Sequence, residues 1–195
     1  MDPLLDEKII LTISRIVPGI FMDTLGIMAV REAYGPSRNE GLCYEKCTSI
    51  DLSGEFDGSY YLGLDGYTKT KLLPYIARCF NMTSFSQISS SLVLMEFTNL
   101  ICGKISDELT SAGFKLEIST PQNLDNKLIP IDLLKYRQYI IIYFLQDKPV
   151  KKYCGRIYTI LTLKKYDPEM VKKLVKAPIK KPDWDADSHL DGVEA

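Results

Sequence analysis

Between Ser84 and Ser111 the apolar residues return at a spacing that only a helix gathers to one side, and no other segment constrains the fold as much. At about 100° per residue, Val93, Leu94, Phe97, Ile101 and Ile105 share one broad face, and Leu92, Glu96, Asn99 and Gly103 collect opposite them. Ala112-Gly113 then ends the helix. Its apolar face has to be buried against another layer, and the flanking chain has the residues to build one.

Strands are expected at Ile27 to Tyr34, from about Thr48 to Leu52, and at Tyr60 to Leu64. A polar loop around Gly35 to Asn39 separates the first two, and Gly54 and Gly58 bracket a sharp turn between the second and third. Phe114-Lys115-Leu116-Glu117-Ile118 alternates as a strand does and stops before Pro121, and two longer strands rich in Tyr and Ile follow near 137–146 and 153–164. At the N-terminus Asp2 and Pro3 read as cap and first position of a helix in which Leu5, Ile9, Ile10, Ile13 and Ile16 form one face. Pro18-Gly19 is predicted to kink or split that helix before a second short stretch ending near Gly26. A further helix is placed within 68–80, with Pro74 in it, and a last short one from Asp167-Pro168 through Val175. From about residue 177 the Pro-containing, acidic end lacks the apolar content to pack.

Composition bounds the function classes. The 195 residues are 46% hydrophobic and 25% charged, enough for a sizeable core. No apolar run approaches the roughly 18 residues of a membrane span, and the first residues are acidic where a secretory signal is basic. A cytoplasmic protein with no membrane partner is the expectation. Five cysteines, Cys43, Cys47, Cys79, Cys102 and Cys154, form no disulfide framework. Cys43 and Cys47 lie four apart, but a zinc site needs two more ligands and the one histidine, His189, lies in the polar tail, so no metal site and no catalysis through a core imidazole is expected. The formal charge of -1 hides a split: residues 148–181 carry 11 basic groups against Asp167 and Glu169, and 182–195 carry five acids and no base. The lysines flank the strand around Arg156 to Leu163, where they protect its ends and edge, so nucleic acid is not an expected partner.

The chemistry rests on Glu96-Phe97-Thr98-Asn99. A carboxylate and a carboxamide three residues apart are neighbours on one helix face, held outward by the apolar residues around them. The asparagine amide donates and accepts hydrogen bonds, so it is able to hold a water in line with a phosphoryl group, which is catalysis by orientation. The glutamate is able to pair with a lysine on a partner and fix the docking geometry. By spacing alone such a pair is a very weak signal, because Glu and Asn are common on ordinary solvated helix faces, and that is the reading spacing favours.

Glu96-x-x-Asn99-Leu100-Ile101-Cys102-Gly103, with Ile118-Ser119-Thr120-Pro121 downstream and the Gly54/Gly58 strand pair upstream, resembles the CheX branch of the CheC/CheX/FliY chemotaxis phosphatases. The order of elements over roughly residues 5–165 is similar too. The resemblance implies an α/β fold of the α+β type, with helices packed on an antiparallel-rich sheet, in a domain of residues 1–165 followed by a short helix and a charged tail over 166–195. It implies removal of the phosphoryl group from the aspartate of a phosphorylated CheY-type receiver. Asn99 then matches the residue that orients the attacking water, and Glu96 the one that contacts the receiver's lysine. Magnesium belongs to the receiver, the chain needs no cofactor of its own, and a homodimer is expected. The alternative is a non-catalytic module of the same fold that binds a receiver or dimerises. Leu92 stands where the family has Asp or Ser, the nearest serine is Ser91, and the spacer from Asn99 to Pro121 is one residue shorter than the family's. The N-terminal helix has no second Glu-x-x-Asn, so a two-site arrangement is not expected.

Overall fold

Alternating strands and amphipathic helices assemble as two layers in the computed structural model, which describes residues 3–36, 42–82, 89–129, 137–147 and 152–174. In chain order the elements are α1 (Pro3–Leu25), β1 (Ile27–Pro36), β2 (Lys46–Gly54), β3 (Phe56–Leu64), α2 (Gly66–Cys79) and α3 (Ser90–Ser111). The second half runs β4 (Leu116–Ile118), β5 (Gln122–Asn123), β6 (Arg137–Asp147), β7 (Tyr153–Tyr166) and α4 (Pro168–Leu174). The strands form one antiparallel sheet in the order β1-β6-β7-β3-β2-β4, with β5 also paired to β2. Period-two alternation sends Ile50, Leu52, Tyr60, Leu62, Leu161, Leu163, Tyr143 and Leu145 into a single core with the apolar faces of the helices. Cys47, Tyr61 and Ile160 face the other way and are covered by Ile129, with Leu42, Tyr44 and Leu124 alongside.

The expected fold class is the one observed, and most elements fall where the pattern placed them. Differences are local. β5 has no counterpart in the sequence reading, and β4 takes up only the end of the 114–118 segment, because Phe114 turns into the core instead. The proposed cap Asp2, the loop residues Ser37 to Asn39, the start of the 84–111 segment and the tail from 175 lie outside the described residues. Val171 and Leu174 of α4 are buried in the same core as the sheet. The turn at Gly54 needs glycine twice over: φ is +122°, and a Cβ there would collide with the Lys115 carbonyl oxygen.

The sheet order reads the same from either end once β1 is exchanged with β4, β2 with β6 and β3 with β7. Each half is thus a helix, a strand, a hairpin of two long strands and a second helix. Tyr60 opposite Leu161 and Tyr61 opposite Ile160 mark the centre. The burial of the two long helices obeys the same exchange: Val93, Phe97, Ile101 and Ile105 of α3 fall on Leu5, Ile9, Ile13 and Val17 of α1, all buried.

The expected break at Pro18 does not occur; α1 continues to Leu25. Proline has no N–H to give the carbonyl four residues earlier, here that of Ser14, and an orphaned buried carbonyl is costly. The hydroxyl of the fully buried Tyr143, from β6, donates to the Ser14 oxygen at 3.0 Å and takes the missing donor's place. A second polar lock sits nearer the start of the helix. Asp6 is fully buried, and its carboxylate accepts hydrogen bonds from Arg137 Nη2 (2.9 Å), Tyr139 (2.6 Å) and Tyr166 (2.6 Å), with Arg137 Nε ion-paired at 2.8 Å. These donors supply what water no longer can, and burial together with Asp6 raises the Tyr139 pKa. Both locks join α1 to strands far along the chain. Tyr143→Phe should therefore cost about 1–3 kcal/mol in urea unfolding, the penalty of one unsatisfied buried group. In a Pro18→Ala background, where residue 18 again has an N–H, the same change should cost clearly less; equal costs in the two backgrounds would show that the hydroxyl is not replacing the proline's missing donor.

Candidate functional site

α3 starts at Ser89, whose hydroxyl accepts from the Ser91 N–H at 3.3 Å, and its burial follows the period read from the sequence. Val93, Leu94, Phe97, Ile101 and Ile105 are fully buried. The Phe97 ring stands edge-on to Phe21 of α1 at 5.0 Å and to Phe80 at 6.3 Å. Thr98 fixes the helix to the sheet: its hydroxyl donates to the Leu94 carbonyl at 2.8 Å and is hydrogen-bonded to the hydroxyl of Thr48 on β2.

With that face committed, the opposite face points to solvent. Glu96 and Asn99 are both exposed, as the sequence predicts, and neither has a hydrogen-bond or ion-pair partner among the described residues. Leu92 lies one turn before Glu96 on the same strip and is 44% exposed. Around Gly103, one turn after Asn99, no atom of the described residues outside the helix's own nearby backbone lies within 4 Å of where a Cβ would be. The strip thus presents, in order, an apolar side chain, a carboxylate, a carboxamide and a gap. Rigid outward polar groups of this kind can donate, accept and pair with charge on another molecule, but by themselves they form no enclosed pocket.

The N-terminal end of α3 is held by a cluster that the sequence did not reveal. Lys46 donates to Asp125 at 2.6 Å and to the Ser91 hydroxyl at 2.9 Å, Ser91 donates to the same Asp125 oxygen, and the Cys47 N–H reaches the other oxygen at 3.0 Å. Burial opposes ionisation of Asp125, but Lys46, Ser91 and the Cys47 amide outweigh it and hold the carboxyl pKa below its ordinary value. Residues this far apart in sequence carry no periodic signal, so no pattern could have found them. The cluster also accounts for Ser91, the serine nearest the family's polar position: it is buried and points into the structure, while Leu92 faces out. Ser119 of the Ile118–Pro121 segment is tied to β2, donating its N–H to the Asp51 carbonyl and accepting from the Asp51 N–H, both at 2.9 Å.

The exchange of halves supplies an internal comparison. The positions on α1 that match Glu96 and Asn99 are Lys8 and Leu11, so the second long helix presents a different surface. Among the described residues there is no group of three or more metal-ligating side chains, and no helix is long and apolar enough to cross a membrane. Cys43 is exposed whereas Cys47 is buried, with burial pushing the Cys47 thiol up to about 12.

A family model described as chemotaxis phosphatase CheX matches residues 47–145. Among solved structures, a chemotaxis protein CheX from Desulfovibrio desulfuricans is similar with a TM-score of 0.61 and 14% identity over 80% of this chain and 98% of that one. FliY from Thermotoga maritima is similar at 0.57 and 13%, over 90% and 96%. CheX in a complex with CheY, BeF3 and Mg from Borrelia burgdorferi is similar at 0.54 and 17%, over 82% and 97%. No curated protein sequence matches the chain.

Proposed function

The chain belongs to the CheX family of chemotaxis phosphatases, and from that membership we propose that it hydrolyses the aspartyl phosphate of a CheY-type receiver, using the exposed face of α3. The observation that carries the reading is the pairing of Glu96 and Asn99, unpartnered and outward on a helix whose other side is fixed by Phe97 and Thr98. An aspartyl phosphate hydrolyses slowly unaided, so the enzyme's part is to hold a water in line and stabilise developing charge in a site that the receiver largely supplies. The Asn99 amide oxygen accepts a hydrogen bond from that water and so orients it. Glu96 pairs with the receiver's lysine and sets the angle at which Asn99 enters. In this reading magnesium is the receiver's, and the chain needs no cofactor of its own. CheX in a complex with CheY among the structural neighbours supports the choice of partner.

Leu92 favours a second reading, in which the chain binds a receiver without dephosphorylating it, since the family's polar residue is absent there. We also read the chain as a homodimer joined through its sheet. Among the described residues β1 is an edge strand with Arg31 to Tyr34 exposed, and such an edge needs cover. That arrangement leaves α3 open.

Decay of phosphorylated receiver is the measurement that separates the readings. Wild type should shorten the receiver's phosphorylated lifetime. Asn99→Ala should lose about 3 kcal/mol of transition-state stabilisation, roughly a hundredfold or more in rate, with binding nearly intact. Glu96→Ala should weaken binding as well. Both variants should keep wild-type stability to within about 0.5 kcal/mol, because exposed side chains without partners contribute little. A wild-type protein that binds the phosphorylated receiver and leaves its lifetime unchanged establishes the binding module; a fully active Asn99→Ala overturns the assigned mechanism. Light scattering at tens of micromolar should give a dimer, and a monomer would overturn pairing through the sheet.

A further inference from the structure

Most glycines of the sheet are explained inside the chain. A Cβ at Gly58 would collide with the Thr162 carbonyl, one at Gly63 with the Tyr44 ring, and one at Gly155 with the Thr68 side chain. Gly103 has no such reason. It sits inside a 22-residue helix, its φ is not in the left-handed region, and a Cβ would enter open space. Glycine weakens a helix interior relative to almost any other residue, so nothing in this chain's own packing favours it. At the other end of the same strip Leu92 leaves an apolar side chain 44% exposed.

The placement of the two residues gives them a common explanation. Leu92, Glu96, Asn99 and Gly103 follow one another at four, three and four residues, which puts them in one line along the helix. Asn99 works only if a partner's reacting group comes within hydrogen-bonding reach of its amide. A side chain at position 103, one turn away and pointing the same way, would hold a partner's surface off. Leu92 is one turn on the far side of Glu96, where burial in a contact removes apolar surface from water. Building on the receiver-phosphatase reading, we propose that the receiver docks along the whole strip, with Leu92 as an apolar anchor and Gly103 as the gap that lets the receiver's backbone close over Asn99. The partner's side of the contact then has a defined chemistry: an apolar side chain opposite Leu92, and main chain or small residues opposite Gly103. A receiver bearing a charge opposite Leu92 would be rejected, so the leucine in place of the family's polar residue selects among receivers.

The test is the dissociation constant of the full chain for CheY-type receivers loaded with beryllofluoride and Mg2+, alongside the turnover of phosphorylated receiver. Gly103→Gln adds bulk with a good helix former. Gly19→Gln makes the same change at an exposed glycine of α1 that also has open space around it. Leu92→Asp puts a carboxylate in the first turn of α3, where the helix dipole favours it, so the fold is kept. Gly103→Gln and Leu92→Asp should each weaken binding and raise KM about tenfold or more, as central contacts do, with melting temperatures no lower than wild type. Gly19→Gln should bind and turn over receiver as wild type does. If wild type binds and turns over receiver while both strip variants do so with unchanged constants, the docking strip is wrong and the phosphatase reading stands. If wild type binds no activated receiver, both fall together.

Discussion

The buried ring of Phe97 sets the rotation of α3, and the functional face follows from it. Phe21 and Phe80 meet that ring edge-on, and the Thr98 to Thr48 hydrogen bond ties the adjacent position to β2. Rolling the helix by one residue would swing Phe97 toward solvent and Glu96 toward the core. Loss of a buried phenylalanine contact alone costs about 3–5 kcal/mol, and a buried carboxylate without partners would add to it. The exposure of Glu96 and Asn99 is therefore enforced mainly by packing on the other side of the helix.

The two halves of the fold divide their work. α1 and α3 bury matching positions against the same core, yet α1 spends buried positions on polar ties, Asp6 to Arg137, Tyr139 and Tyr166, and the Ser14 carbonyl to Tyr143. Those ties close contacts across most of the chain's length and repair the defect that Pro18 creates. α3 has its polar ties at its start, through Ser91, Asp125 and Lys46, and leaves its outer strip unengaged. One helix fastens the domain and the other faces outward.

Much of this was legible in the sequence because it rests on local periodicity. The core face of α3, its polar strip and the long strands β6 and β7 all declare themselves within a dozen residues. What could not be read rests on contacts between distant residues. Pro18 is a breaker by every local rule, and only the hydroxyl of Tyr143 makes it tolerable. The Lys46–Asp125–Ser91 cluster, the two-residue β5 and the exchange symmetry of the sheet are equally invisible along the chain. The site itself was read in part: the residues and their direction came from spacing, whereas the gap at Gly103 became meaningful only once the space around it was known.

The central claim, that the outward strip of α3 is the surface that meets the receiver, is tested most directly by backbone amide chemical shifts of the isotope-labelled chain titrated with receiver. With a beryllofluoride-loaded CheY-type receiver the largest changes are expected at Leu92, Glu96, Asn99 and Gly103, and the same receiver without beryllofluoride should give markedly smaller ones. Changes centred on the outer face of the sheet around Tyr61 and Ile160, or on α1, with the α3 strip unaffected, would contradict it.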